Sequence, residues 1–163
     1  MCSSDLFDIN KIKVATIDIE VASENGFPDV ESVAEEVLLI TVQDYSSKQI
    51  NTWGKGGFKN NQKNVSYRSF STEYDLLNDF INWWMIETNT PEVVTGWNSK
   101  LYDIPYLVRR IDRVLGEKLM KRLSPWGLVT EDETYISGRK HVCYDIGGRS
   151  EEHTSELQSP DHL

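Results

Sequence analysis

The feature that most constrains this chain is the stretch Thr16-Ile17-Asp18-Ile19-Glu20. In a strand, alternate side chains share a face, so Asp18 and Glu20 point together while Ile17, Ile19 and Val21 point the other way. The apolar stripe belongs against a core. Its opposite face would ordinarily carry Thr, Ser or Lys rather than two acids one step apart. Adjacent carboxylates repel, more so when desolvated, unless a cation lies between them. Hard divalent ions such as Mg²⁺ take carboxylate oxygens, so the pair reads as half of a metal site, the alternative being a solvated strand face.

The rest of the chain can build one domain around that strand. Its 163 residues include five Trp, seven Tyr and five Phe, enough bulky material for a sizeable core, which excludes a disordered polypeptide. A net charge of −9 would argue against a nucleic-acid partner if it were spread evenly. It is not, because Arg109, Arg110, Arg113, Lys118, Lys121 and Arg122 face only Asp112 and Glu117 within the same stretch. Local patches decide phosphate contact, so this run reads either as a phosphate-binding face or as a solvated helix face. Cys2 and Cys143 are too few for a disulfide framework or a zinc site. No apolar leader follows Met1 and no long apolar run occurs, so neither secretion nor a membrane partner is expected and the default setting is cytoplasmic.

Residues 149–163 call for separate treatment. Arg149-Ser150-Glu151-Glu152-His153-Thr154-Ser155-Glu156-Leu157-Gln158-Ser159 resembles the translation of a sequencing-adapter read. The segment carries Arg149 against Glu151, Glu152, Glu156 and Asp161, a net −3 that leaves −6 on residues 1–148. We therefore expect residues 1–148 to form the domain and 149–163 to be a non-native tail rather than a genuine polar terminus.

In chain order, residues 1–10 show no periodicity and read as a ragged entry. Residues 13–21 form the first strand, and 23–28 a turn, since Asn25-Gly26 tolerates positive φ and Pro28 cannot extend a ladder. Residues 37–45 and 49–53 read as a hairpin joined at Ser46-Ser47-Lys48, 54–64 as a loop, and 65–70 as a short extended piece. A helix follows, capped by Ser71 or Thr72, with Glu73 and Asp75 in its first turn. Leu76, Leu77, Phe80, Ile81, Trp84 and Met85 make its apolar stripe. Residues 93–98 read as a strand entering a loop. A second helix begins near 103–105, where Pro105 is tolerated, and runs to Gly116. Residues 134–137 and 140–144 could pair as a hairpin. This order predicts an α/β domain with a mixed sheet flanked by helices, the Asp18/Glu20 strand central and the 93–95 strand close by.

Asn98 and Asp103 fall between the end of that later strand and the start of the second helix, where ligands prefer to bind in α/β sheets. Asp103 taken alone reads first as a helix cap. Combined with Asp18-Ile19-Glu20, the pattern is far more specific. The chain resembles the 3′→5′ proofreading exonuclease domain of family B DNA polymerases, in the branch carried by T-even-type tailed phages. Asp18-Ile19-Glu20 matches the first exonuclease motif, and Asn98-Ser99-Lys100-Leu101-Tyr102-Asp103 the second, Asn-x-x-x-(Phe/Tyr)-Asp. Gly26-Phe27-Pro28, Thr95-Gly96-Trp97, Leu115-Gly116-Glu117, Met120-Lys121-Arg122 and Ser124-Pro125 also agree, and the likeness spans roughly 11–147.

The resemblance implies a ribonuclease-H-like fold, incomplete at its C-terminus. Asp18, Glu20 and Asp103 would be catalytic metal-ligand carboxylates for two ions, Mg²⁺ or Mn²⁺. Two such ions about 3.5–4 Å apart can activate an attacking water and stabilise the departing 3′ oxygen. Asn98 and Tyr102 would contact the substrate strand, and Phe27 would lie against the terminal base, as aromatics do in single-strand binding. A turn anchor packed on the sheet is the competing reading of Phe27. Implied partners are a DNA primer-template with a frayed 3′ end, the remainder of a polymerase chain and, as a candidate, a sliding clamp. The implied location is the cytoplasm of an infected bacterial host. One departure stands out: the family's third motif, Tyr-x-x-x-Asp, is missing, since Tyr144-Asp145 has the wrong spacing and Asp161 lies in the suspect tail. Palm, fingers and N-terminal domain are missing too, so the chain reads as a fragment, inactive or nearly so. A stand-alone nuclease would need its fourth acid here. A non-catalytic nucleic-acid-binding domain would bind DNA without regard to Mg²⁺ or to the 3′ end.

Overall fold

Strand β1 (Val14–Val21) buries Ala15, Ile17 and Ile19 and exposes Asp18 and Glu20, the alternation its sequence dictates. The structure is a computed structural model that describes residues 12–24, 26–136 and 138–153. The expected ragged entry over 1–10, Asn25 of the first turn, Ser137 and residues 154–163 of the expected tail lie outside the described residues. β1 pairs antiparallel with β2 (Val37–Asp44), with Asp18 opposite Thr41 and Glu20 opposite Leu39. β2 in turn pairs antiparallel with β3 (Ile50–Lys55), the expected hairpin.

The extended piece at 65–70 becomes β4 (Val65–Phe70), which runs parallel to β3 in register Ile50↔Val65 through Lys55↔Phe70. The loop between them therefore returns along the whole strand before β4 starts. On the other side of β1 lies β5 (Val93–Gly96), parallel to it, as the sequence led us to expect. A further strand, β8 (Ser150–His153), pairs in parallel with β5 in register Val93↔Ser150 through Gly96↔His153. The sheet thus reads β4-β3-β2-β1-β5-β8, a mixed sheet with β1 inside it. Arg149, the first residue assigned by wording to the tail, packs its guanidinium over the Trp84 ring and donates to the carbonyls of Leu123 and Pro91.

Helix α1 (Glu73–Trp84) starts where expected: the Thr72 hydroxyl accepts from the Asp75 amide over 3.1 Å. Leu76, Leu77, Phe80, Ile81 and Trp84 are all buried. Met85, expected on the same stripe, is not. It is the C-cap residue, its amide still bonded back to the Ile81 carbonyl, and it stands 48% exposed at the helix end. Helix α2 (Asp103–Leu115) ends at Gly116, whose φ of 89° only glycine adopts without strain. A short α3 (Glu117–Met120) and a 3-10 turn (Lys121–Leu123) follow.

Both long helices share one core with the Ile17/Ile19 face of β1, where Ile40, Val42, Trp53, Leu107 and Ile111 are fully or almost fully buried. Side chains of this size each stabilise by about 1.5–3 kcal/mol when removed from water. A bidentate ion pair crosses the same region. Arg110 Nε and Nη2 donate to Glu73 Oε1 and Oε2 over 2.8 and 2.7 Å, and Glu73 also accepts from the Val37 amide. The expected hairpin near 134–144 is longer than its sequence suggested: β6 (Val129–Ile136) and β7 (Arg139–Ile146) form a separate two-stranded sheet. Among the described residues no helix is long and apolar enough to cross a membrane.

Candidate active site

The site begins where β5 ends. β5 pairs with β1 only from Val14 to Thr16, so beyond Thr16 the β1 edge on that side is open. The approach is close: a Cβ on Gly96 would sit 2.6 Å from the Ile17 carbonyl oxygen, so only glycine fits here. After Gly96 the chain turns through Asn98, whose φ of 57° is left-handed, a conformation Asn tolerates better than most residues. The Asn98 carbonyl accepts from the amides of Leu101 and Tyr102, closing the turn into α2.

Asp103, the first residue of α2, is 4% exposed. Its Oδ1 accepts from the Ile19 amide over 3.1 Å, taking a donor on the open β1 edge. The cap alternative is therefore not what the side chain does across the fold: the N-cap is Tyr102, which makes no side-chain capping bond. Ile19 lies between Asp18 and Glu20, so this bond sets the third acid beside the other two. The charges register one another. Burial first, with the Asp18 and Glu20 charges adding to it, pushes Asp103 up to about 6 against the pull of the Ile19 N–H. Burial also raises Asp18. Tyr102 is pushed up to about 12, mainly by burial, with Tyr106, Asp103 and Glu20 adding to it.

Among the described residues no ion pair involves Asp18, Glu20 or Asp103. Nor, among them, do three or more His, Cys, Asp or Glu side chains close into a ready-made metal cage. The donor set itself fits a hard cation. It is all carboxylate oxygen, it is partly desolvated, and its members repel one another across the Ile19 bridge.

A cavity of about 560 Å³ opens beside Tyr102, the residue before Asp103, though none of the three acids lines it. Phe27, Asn98 and Tyr102 all line it, so the three residues expected to touch nucleic acid share one space. The Phe27 and Tyr102 rings are tilted with centroids 5.0 Å apart, and Phe27 is 84% exposed. A turn anchor packed on the sheet would be covered. Lys140, His141 and Val142 of β7 line the same cavity, and sequence reasoning missed them. The run Arg139-Lys140-His141 was their only signal, and nothing local says which cavity a hairpin leans over.

The basic stretch 109–122 divides. Arg109 is half-buried, Arg110 buried and Arg113 exposed, and the three do not form one face free for phosphate. All three donate to main-chain carbonyls between Val30 and Ala34, and Arg109 and Arg110 also pair with Glu131 and Glu73. The reason is tertiary: the loop after β1 folds back over this side of α2. Lys118 and Lys121 stay exposed, Lys121 paired with Glu117 over 2.7 Å.

The family described as DNA polymerase family B, exonuclease domain, matches residues 2–151. The DNA-directed DNA polymerase of Escherichia phage RB69 is 33% identical over 144 residues, covering 73% of this chain and 16% of that polymerase. The DNA-directed DNA polymerase of Enterobacteria phage T4 is 32% identical over 176 residues, covering 91% of this chain and 19% of its own length. The DNA polymerase catalytic subunit of human herpesvirus 7 is 30% identical over 105 residues, covering 61% of this chain and 10% of its own. The chain thus spans under a fifth of the length of these relatives. With nearly its whole length matched, the chain belongs to DNA polymerase family B, as an exonuclease domain of that family.

Proposed function

We propose that this domain hydrolyses the 3′-terminal phosphodiester of a frayed DNA primer, as the proofreading unit of a replicative phage-type DNA polymerase in the cytoplasm of an infected bacterium. The observation that carries the reading is the bond from the Ile19 amide to Asp103, which sets acids from two separate elements together, one residue along the chain from Tyr102, which lines a cavity with Phe27 and Asn98. The strand order β3-β2-β1-β5-β8, antiparallel through β1 and parallel after it, supports a ribonuclease-H-like fold with β4 as an added edge.

In this reading Asp18, Glu20 and Asp103 would hold two Mg²⁺ or Mn²⁺ ions. When bound, such ions lower the pKa of an attacking water and stabilise charge on the departing 3′ oxygen. The protein's own residues bind and orient. Phe27 and Tyr102 offer ring faces to the terminal base, a contact open to any base because every base has a π-face. Asn98, exposed beside them, reaches the strand end. Asp103 is the least solvated of the three acids, and its Ile19 bond holds its carboxylate in one orientation, which in-line chemistry requires. The fourth carboxylate, the primer-template, the sliding clamp and the rest of the polymerase chain belong to the same proposal.

The test joins the chain to the segment that follows it in the gene and measures Mg²⁺-dependent trimming of a mismatched primer. Asp18→Ala should abolish trimming. Unchanged trimming would show that the acids are misassigned, and DNA binding indifferent to Mg²⁺ and to the 3′ end would favour a non-catalytic binding domain.

A further inference from the structure

The loop between β1 and β2 contains a backbone conformation that needs explaining. Val33 has a φ of 38°, in the left-handed region that a β-branched residue avoids. Such strain persists only where the surroundings over-determine it. Here they do. The Val33 side chain is buried in the core, its amide donates to the Asp29 carbonyl, and its own carbonyl accepts from both Arg110 Nη1 at 2.8 Å and Arg113 Nη1 at 3.2 Å.

Arg109 extends this grip towards Phe27. Its Nη1 donates to the Val30 carbonyl over 3.2 Å and to the Glu31 carbonyl over 3.4 Å, only a few residues past the aromatic ring. The rest of the guanidinium faces the hairpin: Nε donates to Tyr144 Oη over 2.9 Å, and Nη2 to Glu131 Oε2 over 3.1 Å. Tyr144 Oη donates to that same Glu131 oxygen over 2.7 Å, closing a three-membered network. One side chain thus ties the helix that begins at Asp103, the loop that presents Phe27, and the hairpin whose Lys140, His141 and Val142 line the far side of the cavity. A planar guanidinium can hold these partners at once, which a lysine ammonium cannot.

We propose that Arg109, through Tyr144 and Glu131, is a positioning residue that fixes the width of the terminal-nucleotide cavity by locking the Phe27 loop and the β6–β7 hairpin to α2. It does not touch the reacting atoms. It sets where Phe27 stands relative to Tyr102, and so how tightly an unpaired terminal base is held. The inference rests on the reading of the cavity as the site of the strand end.

The test uses the whole chain and a short oligothymidylate carrying 2-aminopurine either at its 3′ end or internally, with binding followed by quenching of the fluorophore. In the unaltered chain the 3′ probe should be quenched and Phe27→Ala should relieve the quenching. Arg109→Met should weaken 3′-end binding about tenfold, the scale of one lost base–aromatic stack, while binding of the internal probe is unchanged. Arg109→Lys should behave like Arg109→Met, and Tyr144→Phe, which removes only the hydroxyl, should give a smaller loss of the same kind. Arg109→Met combined with Phe27→Ala should lose no more than Phe27→Ala alone. Full 3′-end affinity in Arg109→Met or Arg109→Lys, or additive losses in the double variant, would overturn the inference while leaving the proposed function standing. If the unaltered chain shows no Phe27-dependent preference for the 3′ probe, both fall.

Discussion

The Ile19 amide donates to Asp103 Oδ1 over 3.1 Å, joining residues 84 positions apart. That bond places the start of α2 against the open edge of β1, and the acidic character of the region follows from it. Ile19 separates Asp18 from Glu20, so whatever binds its N–H from outside the strand enters the field of both carboxylates.

Removing the buried charge should stabilise the metal-free protein and destroy trimming at once. Asp103→Asn keeps an acceptor for the Ile19 amide and relieves both desolvation and repulsion. Because Asp103 is pushed from 3.8 up to about 6, the relief at neutral pH is about 1–3 kcal/mol. The melting temperature in chelator should rise. Mg²⁺-dependent trimming by the extended chain should fall by several orders of magnitude.

The same group predicts a pH dependence. The folded protein holds the Asp103 proton up to about 6, whereas the unfolded chain releases it near 3.8, so between these values the folded state binds more protons. Stability of the metal-free protein should therefore fall as pH rises from about 4 to 6, as far as this group is concerned. Asp29 and Asp44, whose carboxyls are lowered on folding, contribute with the opposite sign below about pH 4. The difference between the unaltered chain and Asp103→Asn, followed by denaturant melts across that range, isolates the effect. A flat difference curve would refute it.

Breaking the ion pair under the β1–β2 loop should be expensive. Arg110 and Glu73 side chains are only 9% and 6% exposed, so Arg110→Met leaves an uncompensated buried carboxylate at a cost of about 3–5 kcal/mol. Adding Glu73→Gln to Arg110→Met should recover part of that loss. Urea unfolding of both single variants and the double variant measures the coupling.

Gly96→Ala should loosen β5 from β1, because the new Cβ would stand 2.6 Å from a backbone carbonyl that cannot swing aside. A loss of about 1–3 kcal/mol is expected. Asn98 and Asp103 follow directly in the chain, so trimming should fall further than global stability does. Thermal melting and trimming measured side by side check this.

Local pattern was enough for much of the domain. The period-2 alternation of β1, the Thr72 cap, the stripe from Leu76 to Trp84 and the start of α2 each depend on neighbours within a few residues, and the structure has them where the sequence puts them. The two exonuclease motifs could likewise be matched as wording. Met85 was the exception: at the C-cap it keeps the helical bond to Ile81 but lies beyond the part of the stripe that the core covers.

What the amino-acid sequence determined by itself is therefore which residues carry the acids and the rings, and which segments are strand or helix. Tertiary structure alone decided that Asp103 turns to a strand amide instead of capping its own helix, and that β4 lies parallel to β3. It also decided that three arginines of α2 hold a loop, and that a hairpin supplies one wall of the cavity. The physical reason is the same each time. A polar side chain's partner is set by what the fold brings within about 3 Å of it, and for these residues that partner lies tens of positions away along the chain.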